Sequence, residues 1–162
     1  MAKNEFTITL DTKKLDKIIH ELAEVDDTEI SAGYFNSKMH PVHTDTTYPD
    51  IAYINNYGVG NIPRRPFMSD AGQDNINYIT KVAAFSLRDL LNGKPYEDDL
   101  AQIGKIMADN IKNRIADNSY LPNAESYKQY KQSRWGSSEP LVASGNLRDN
   151  VEHKVTKKGG GS

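Results

Sequence analysis

Residues 51–68 read Ile51-Ala52-Tyr53-Ile54-Asn55-Asn56-Tyr57-Gly58-Val59-Gly60-Asn61-Ile62-Pro63-Arg64-Arg65-Pro66-Phe67-Met68, and three local instructions follow one another along them. Ile51, Ala52, Ile54 and Tyr57 suit a short amphipathic helix, with Asp50 after Pro49 as its expected N-cap. Gly58 and Gly60 stop that helix, because glycine takes left-handed angles without a Cβ penalty. From Ile62 to Phe67 the chain must be extended. Pro63 and Pro66 fix their own φ and bias the residue before them away from helix. The product is a stiff strap with two guanidinium groups, Arg64 and Arg65, between apolar Ile62 and Phe67. Such a segment is suited to docking against a neighbour rather than to turnover chemistry.

Outward from the strap, the chain alternates between short extended pieces and helices. Phe6, Ile8 and Leu10 alternate with threonines, the pattern of a half-buried strand. Asp11 or Thr12 can cap a helix with the stripe Leu15, Ile18, Ile19 and Leu22, and residues 24–29 read as an acidic turn. Ile30, Ala32 and Tyr34 then predict a second strand. Residues 36–49 carry two prolines and neither period, and are expected to be a long polar loop or an extended β-hairpin excursion. Beyond the strap, Ile76, Ile79, Ala83, Leu87 and Leu90 predict one helix from Ser69 or Asp70 to Gly93. Leu100, Ile103, Met107, Ile111 and Ile115 predict another, with Glu97, Asp98 and Asp99 in its first turn, where the helix dipole favours acids. Arg114, at its end, fits the dipole there. The link through Lys94-Pro95 is short, so the two helices are expected to be antiparallel. The fold class read from this is α+β: a small mixed or antiparallel sheet packed against two long antiparallel helices, with a long polar loop. Residues 1–158 make one domain, and Gly159 to Ser162 form a flexible tail.

Composition narrows the function classes. The 162 residues carry 20 Lys and Arg against 22 Asp and Glu, a net charge of −2. That balance argues against binding nucleic acid by bulk charge. It is uneven: residues 1–60 hold 5 basic and 10 acidic side chains, and residues 61–162 hold 15 and 12. Such polarity favours head-to-tail packing of protomers. There is no cysteine, so neither a disulfide nor a thiolate metal site is expected. No apolar run is long enough to span a membrane, and Met1 to Thr7 lack the apolar core of a signal peptide. Synthesis and assembly in the cytoplasm are expected.

The best catalytic candidate is His40-x-x-His43-x-Asp45, whose imidazoles and carboxylate are zinc or iron ligands by type. This motif supports an alternative reading as a metal-dependent hydrolase, but it sits in a segment without evident rigid support. No G-x-S-x-G elbow or phosphate-binding loop is present. Ser137 and Ser138 have no well-placed histidine except His153, His20 flanks an apolar stripe, and the acids 97–99 start a helix. The chain is expected not to be an enzyme, with no catalytic, metal or cofactor-binding residues and no cofactor.

The C-terminal third supplies a second motif. Leu121-Pro122-Asn123-Ala124 precedes a lysine-bearing helix with Tyr127, Lys128 and Lys131, capped by Asn123 and ended by Gly136. Ser137-Ser138 follow, then Pro140-Leu141-Val142-Ala143-Ser144-Gly145-Asn146-Leu147-Arg148, and Val151, His153 and Val155 on one strand face. Ser144-Gly145 turns the chain so that Leu147 inserts and Arg148 points outward.

Asn-Asn-Tyr-Gly at 55–58 with Ile-Pro-Arg-Arg-Pro-Phe at 62–67, followed by this C-terminal series, resembles the tailed-bacteriophage tail-completion or head–tail joining proteins. Neck and virion-morphogenesis are other names for that family. The resemblance covers about residues 30–156. Members often have Glu in place of Asn56, an aliphatic residue in place of Met68, and Asp-Thr in place of Ala143-Ser144; none of these departures removes a backbone constraint. The resemblance implies a structural virion protein forming a homo-oligomeric, hexameric ring at the neck or the head-proximal end of the tail. It implies tail-tube and head–tail connector proteins as partners, genomic DNA passing through the lumen without specific binding, and no membrane. A non-virion tail-assembly chaperone is the alternative within this class. Arg64, Arg65, Phe67 and Arg148 are the expected interface residues.

Overall fold

The chain contains seven helices and two strands among the residues that the computed structural model describes, which are 12–39, 45–117 and 119–158. The order is α1 (Lys13–Asp26), β1 (Thr28–Gly33), α2 (Tyr48–Tyr57), α3 (Phe67–Asp74), α4 (Ile76–Leu91), α5 (Glu97–Asp117), α6 (Glu125–Trp135), α7 (Asn146–Asp149) and β2 (Glu152–Lys157). This is an α+β fold whose sheet is one antiparallel pair, β1 on β2, with Ile30 opposite Val155. The expected strand at Phe6, Ile8 and Leu10 lies outside the described residues, as do His40 and His43 of the polar loop.

The long helix α5 is the spine of the domain. Both strands, α3, α4 and α7 pack against it. Its stripe buries Ile103, Ala108, Ile111 and Ile115, and the core is completed by Tyr48, Ala52, Phe67, Ala71, Leu147 and Val151. At Gly104 the spine passes close to the sheet: a Cβ there would lie 2.8 Å from the His153 ring. α1 is peripheral. None of its residues is buried, and Leu15 and Ile19 of its apolar stripe remain 55% exposed.

Several boundaries differ from the sequence reading, each for a local reason. α1 continues through the acids as far as Asp26, so only Asp27 separates it from β1. α2 starts two residues before Asp50. Its N-cap is Thr47, whose hydroxyl accepts from the Asp50 N–H while the Asp50 carboxylate accepts from the Thr47 N–H, a reciprocal capping box. The Thr47 hydroxyl donates to the Asp50 carboxylate at 2.6 Å, and this bond, with the one from the Thr47 N–H, holds the Asp50 carboxyl below the ordinary aspartate pKa. The single helix expected from Ser69 or Asp70 to Gly93 is two helices, broken at Asn75. The Asn75 amide donates to Asn110 Oδ1 on α5 at 2.8 Å, so a side-chain bond to the spine replaces helix continuity at that residue. Arg114 grips both oxygens of Asp74 at the end of α3, rather than only answering its own helix dipole.

Candidate interaction surface

The strap doubles back along α2. Gly58 makes this possible with φ +74°, because a Cβ there would sit 2.9 Å from the Arg64 backbone nitrogen. The chain then runs beside the helix it has just left, and the Arg65 N–H donates to the Asn55 carbonyl at 2.7 Å. Pro66 lies at the N-cap of α3 and has no side-chain acceptor for the first N–H groups of that helix. Asn56 supplies one from α2. Its Oδ1 accepts from the Met68 and Ser69 N–H groups at 3.1 and 3.2 Å, and its Nδ2 donates to Ser69 Oγ. The side chain is buried, and a carboxylate at this position would serve the same two donors.

Arg65 is the centre of the arrangement. It is 3% exposed. Its Nε donates to the Leu121 carbonyl at 2.9 Å and Nη1 to Asn55 Oδ1 at 2.8 Å. Nη2 donates to the Pro122 carbonyl at 3.4 Å and to Asn123 Oδ1 at 3.0 Å. The Asn123 amide passes the connection on to the Ser138 carbonyl. Asn123 therefore is not the cap of α6, whose N-cap is Ala124 without a side-chain bond. One guanidinium joins the end of α2, the strap and the segment that leads into α6.

This geometry corrects part of the expected interface. Arg65 and Phe67, which is 0% exposed, are interior side chains of the protomer and are engaged there. Arg64 and Arg148 are exposed. The strap also presents a face that sequence reasoning missed. Tyr53 and Tyr57, one helical turn apart, have ring centroids 4.9 Å apart and are about 60% exposed. Val59 and Ile62 are exposed beside them. The signal was available: Ala52 and Asn56 occupy the inward face of α2, so the tyrosines next to them in sequence point outward. With Arg64, these side chains form an outward apolar and cationic surface within twelve residues of chain.

No protein-family model, curated protein or solved structure matches this chain. Among the described residues no group of three or more His, Asp or Glu side chains is placed to hold a metal. Asp45 is described, and its carboxylate accepts from Thr46 Oγ1, while His40 and His43 lie outside the described residues.

The C-terminal motif turns as its residues require. Gly145 has φ +81°, Leu147 is buried, and its carbonyl accepts from the Tyr34 hydroxyl at 2.8 Å. Arg148 stays outside, paired with its neighbour Asp149 at 2.8 Å. Gly145→Val is therefore expected to cost roughly 1–3 kcal/mol, the range for a side chain forced into a left-handed position. Arg148→Ala should melt within about 0.5 kcal/mol of the wild type, since exposed pairs contribute little. Urea denaturation of the two variants measures the difference.

Lys131 is the second buried cation of this region, donating to the Glu139 carbonyl. Burial, with Arg65 nearby, lowers its pKa to about 8, and Glu139 opposes the shift. A lysine whose folded pKa is depressed destabilises the fold while it must remain charged. Between about pH 8 and its ordinary value of 10.5 the unfolded chain binds the extra proton, so stability rises with pH in that window. Lys131→Met is expected to remove this rise, which urea titrations at pH 7, 8, 9 and 10 would detect.

Proposed function

We propose that this chain is a structural phage virion protein that forms a homo-oligomeric ring at the neck or head-proximal end of the tail. Its exposed strap face, with Tyr53, Tyr57, Ile62 and Arg64, and the exposed Arg148 contact neighbouring virion proteins. The observation that supports this reading most is the Arg65 cluster. The strap motif and the Leu-Pro-Asn motif, 56 or more residues apart in sequence, carry the family resemblance separately, and one buried guanidinium ties them together. A rigidly backed apolar face rimmed by arginine suits a protein contact, where aromatic residues and arginine are enriched.

Arg64→Ala combined with Tyr57→Ser is expected to leave the circular dichroism spectrum unchanged while lowering particle assembly. Normal assembly by that variant would overturn the assignment of the strap face. Finding the protein at defined copy number in purified particles supports the virion reading. Its absence from mature particles would instead place it with the assembly chaperones.

A further inference from the structure

The register of the small sheet fixes which of its sides faces inward. The His153 ring approaches Gly104 of α5, and opposite residues of an antiparallel pair share a face. Ile30, Ala32, His153 and Val155 therefore face the spine, while Glu29, Ser31, Lys154 and Thr156 face away. The inner face is largely apolar and the outer face polar. Among the described residues β1 pairs with β2 alone, so its second edge is open. A groove of about 210 Å³ lies on that side, with no residue of β2 in its wall. The wall includes Thr28 and Ile30 of β1, Val25 of α1, Leu87 and Leu90 of α4, and Ile103 of α5. Leu87 is left 43% exposed there, and α1 buries none of its residues.

The chain itself supplies a segment that matches this groove. Phe6-Thr7-Ile8-Thr9-Leu10 lies outside the described residues, and its sequence repeats the alternation of the sheet, apolar on one side and hydroxyl on the other. Its point of attachment is described, because Thr12 is the N-cap of α1. α1 has 14 residues, so about 20 Å of helix separates Thr12 from Val25 at the groove. The steps from Thr12 back to Phe6 cover about 20 Å as extended chain, which is the same distance. A helix of this length is also the usual connection between parallel neighbouring strands. The groove has the volume as well. A cavity of about 150 Å³ accepts a benzene ring, so there is room here for the Phe6 ring and part of an aliphatic side chain.

We infer that the groove beside β1 is the docking site of this chain's own residues 6–10, with Phe6, Ile8 and Leu10 turned inward. Their apolar side chains meet Ile30, Leu87, Leu90 and Ile103, and Thr7 and Thr9 join the polar outer face of the sheet. A second copy carries the same residues, but a segment tethered a few residues away has an effective concentration on the order of millimolar, which favours its own protomer. The inference does not depend on the ring reading. It removes this groove from the surfaces open to other virion proteins and leaves the strap face to them.

Maleimide labelling of the full chain tests this, and the absence of native cysteine means that one introduced thiol is read alone. Ile8→Cys is expected to react at least tenfold more slowly than Thr9→Cys under native conditions, and at the same rate in urea. Leu10→Cys gives the same comparison if Ile8→Cys does not fold, which circular dichroism melts decide. Equal native rates overturn the inference. Adding Leu87→Asp to the groove wall should speed labelling of Ile8→Cys at least fivefold. Phe85→Asp, at a position 55% exposed on α4 and outside the groove wall, should not. Protection that survives Leu87→Asp would place residues 6–10 elsewhere and overturn the groove as their site. The protection should also be the same over a hundredfold range of protein concentration. Protection that appears only at high concentration would make a second copy the donor of the segment and overturn the assignment to its own protomer.

Discussion

Arg65→Ala is expected to destabilise the fold by about 3–5 kcal/mol, the range for removing one partner of a buried charged network. The substitution removes the donor of four hydrogen bonds and leaves the Leu121 and Pro122 carbonyls and the Asn55 and Asn123 amide oxygens without it. Each buried acceptor that stays unsatisfied costs about 1–3 kcal/mol, less where water can enter. Lysine should not restore the loss, because an ammonium is a point charge and cannot span acceptors placed for a planar fork. Arg64→Ala, one residue away and exposed, should stay within about 0.5 kcal/mol of the wild type. Urea denaturation of the three variants separates these outcomes, and an Arg65→Ala chain as stable as Arg64→Ala would overturn the structural role assigned to the guanidinium. A second readout accompanies it. Arg65 helps to hold down the pKa of Lys131, so the rise in stability above pH 8 should narrow in Arg65→Ala.

Gly58→Val should be nearly as damaging, at roughly 3 kcal/mol from a strained left-handed φ and overpacking together. The atom that the new Cβ would meet is the backbone nitrogen of Arg64, which cannot rotate away as a side chain can. Relief requires the strap to move off α2, and that breaks the bond from the Arg65 N–H to the Asn55 carbonyl. Gly60→Ala provides the control. Its φ is also positive, at +59°, but an added Cβ meets nothing within 4 Å, so the cost should be only about 1–2 kcal/mol. Trypsin gives an independent measure, since it can cut after Arg64 but not before Pro66. Faster cleavage at Arg64 is expected in Gly58→Val and not in Gly60→Ala. Equal rates would show that the strap is not held by this close approach.

Where a residue's own backbone preference decides the conformation, the sequence was sufficient. Pro63 keeps the strap out of helix, Gly58, Gly136 and Gly145 take positive φ, and the apolar spacing of α5 identifies the spine of the domain, whereas Pro66 turns the chain and Phe67, expected to be extended, is the first residue of α3. The α+β class follows from those local signals. What only the tertiary structure decided is which side of each element faces inward and which polar group answers a distant one. Arg64 and Arg65 are identical side chains, adjacent in an extended segment and so on opposite sides of it. Sequence reading placed both at an interface because nothing within the strap says which side faces inward, and the acceptors at 121–123 decide it. Asn56 serves a helix that Pro66 leaves uncapped, Asn75 breaks a helix that its apolar period would continue, and Asn123 bridges Arg65 to Ser138 instead of starting α6. The exposed tyrosines of α2 and α6 belong to the same class, since their outward direction depends on what covers the other side of the helix. A local preference is a property of one residue's own torsions. A buried hydrogen bond needs two partners brought together from far along the chain, and no spacing within either segment records the other.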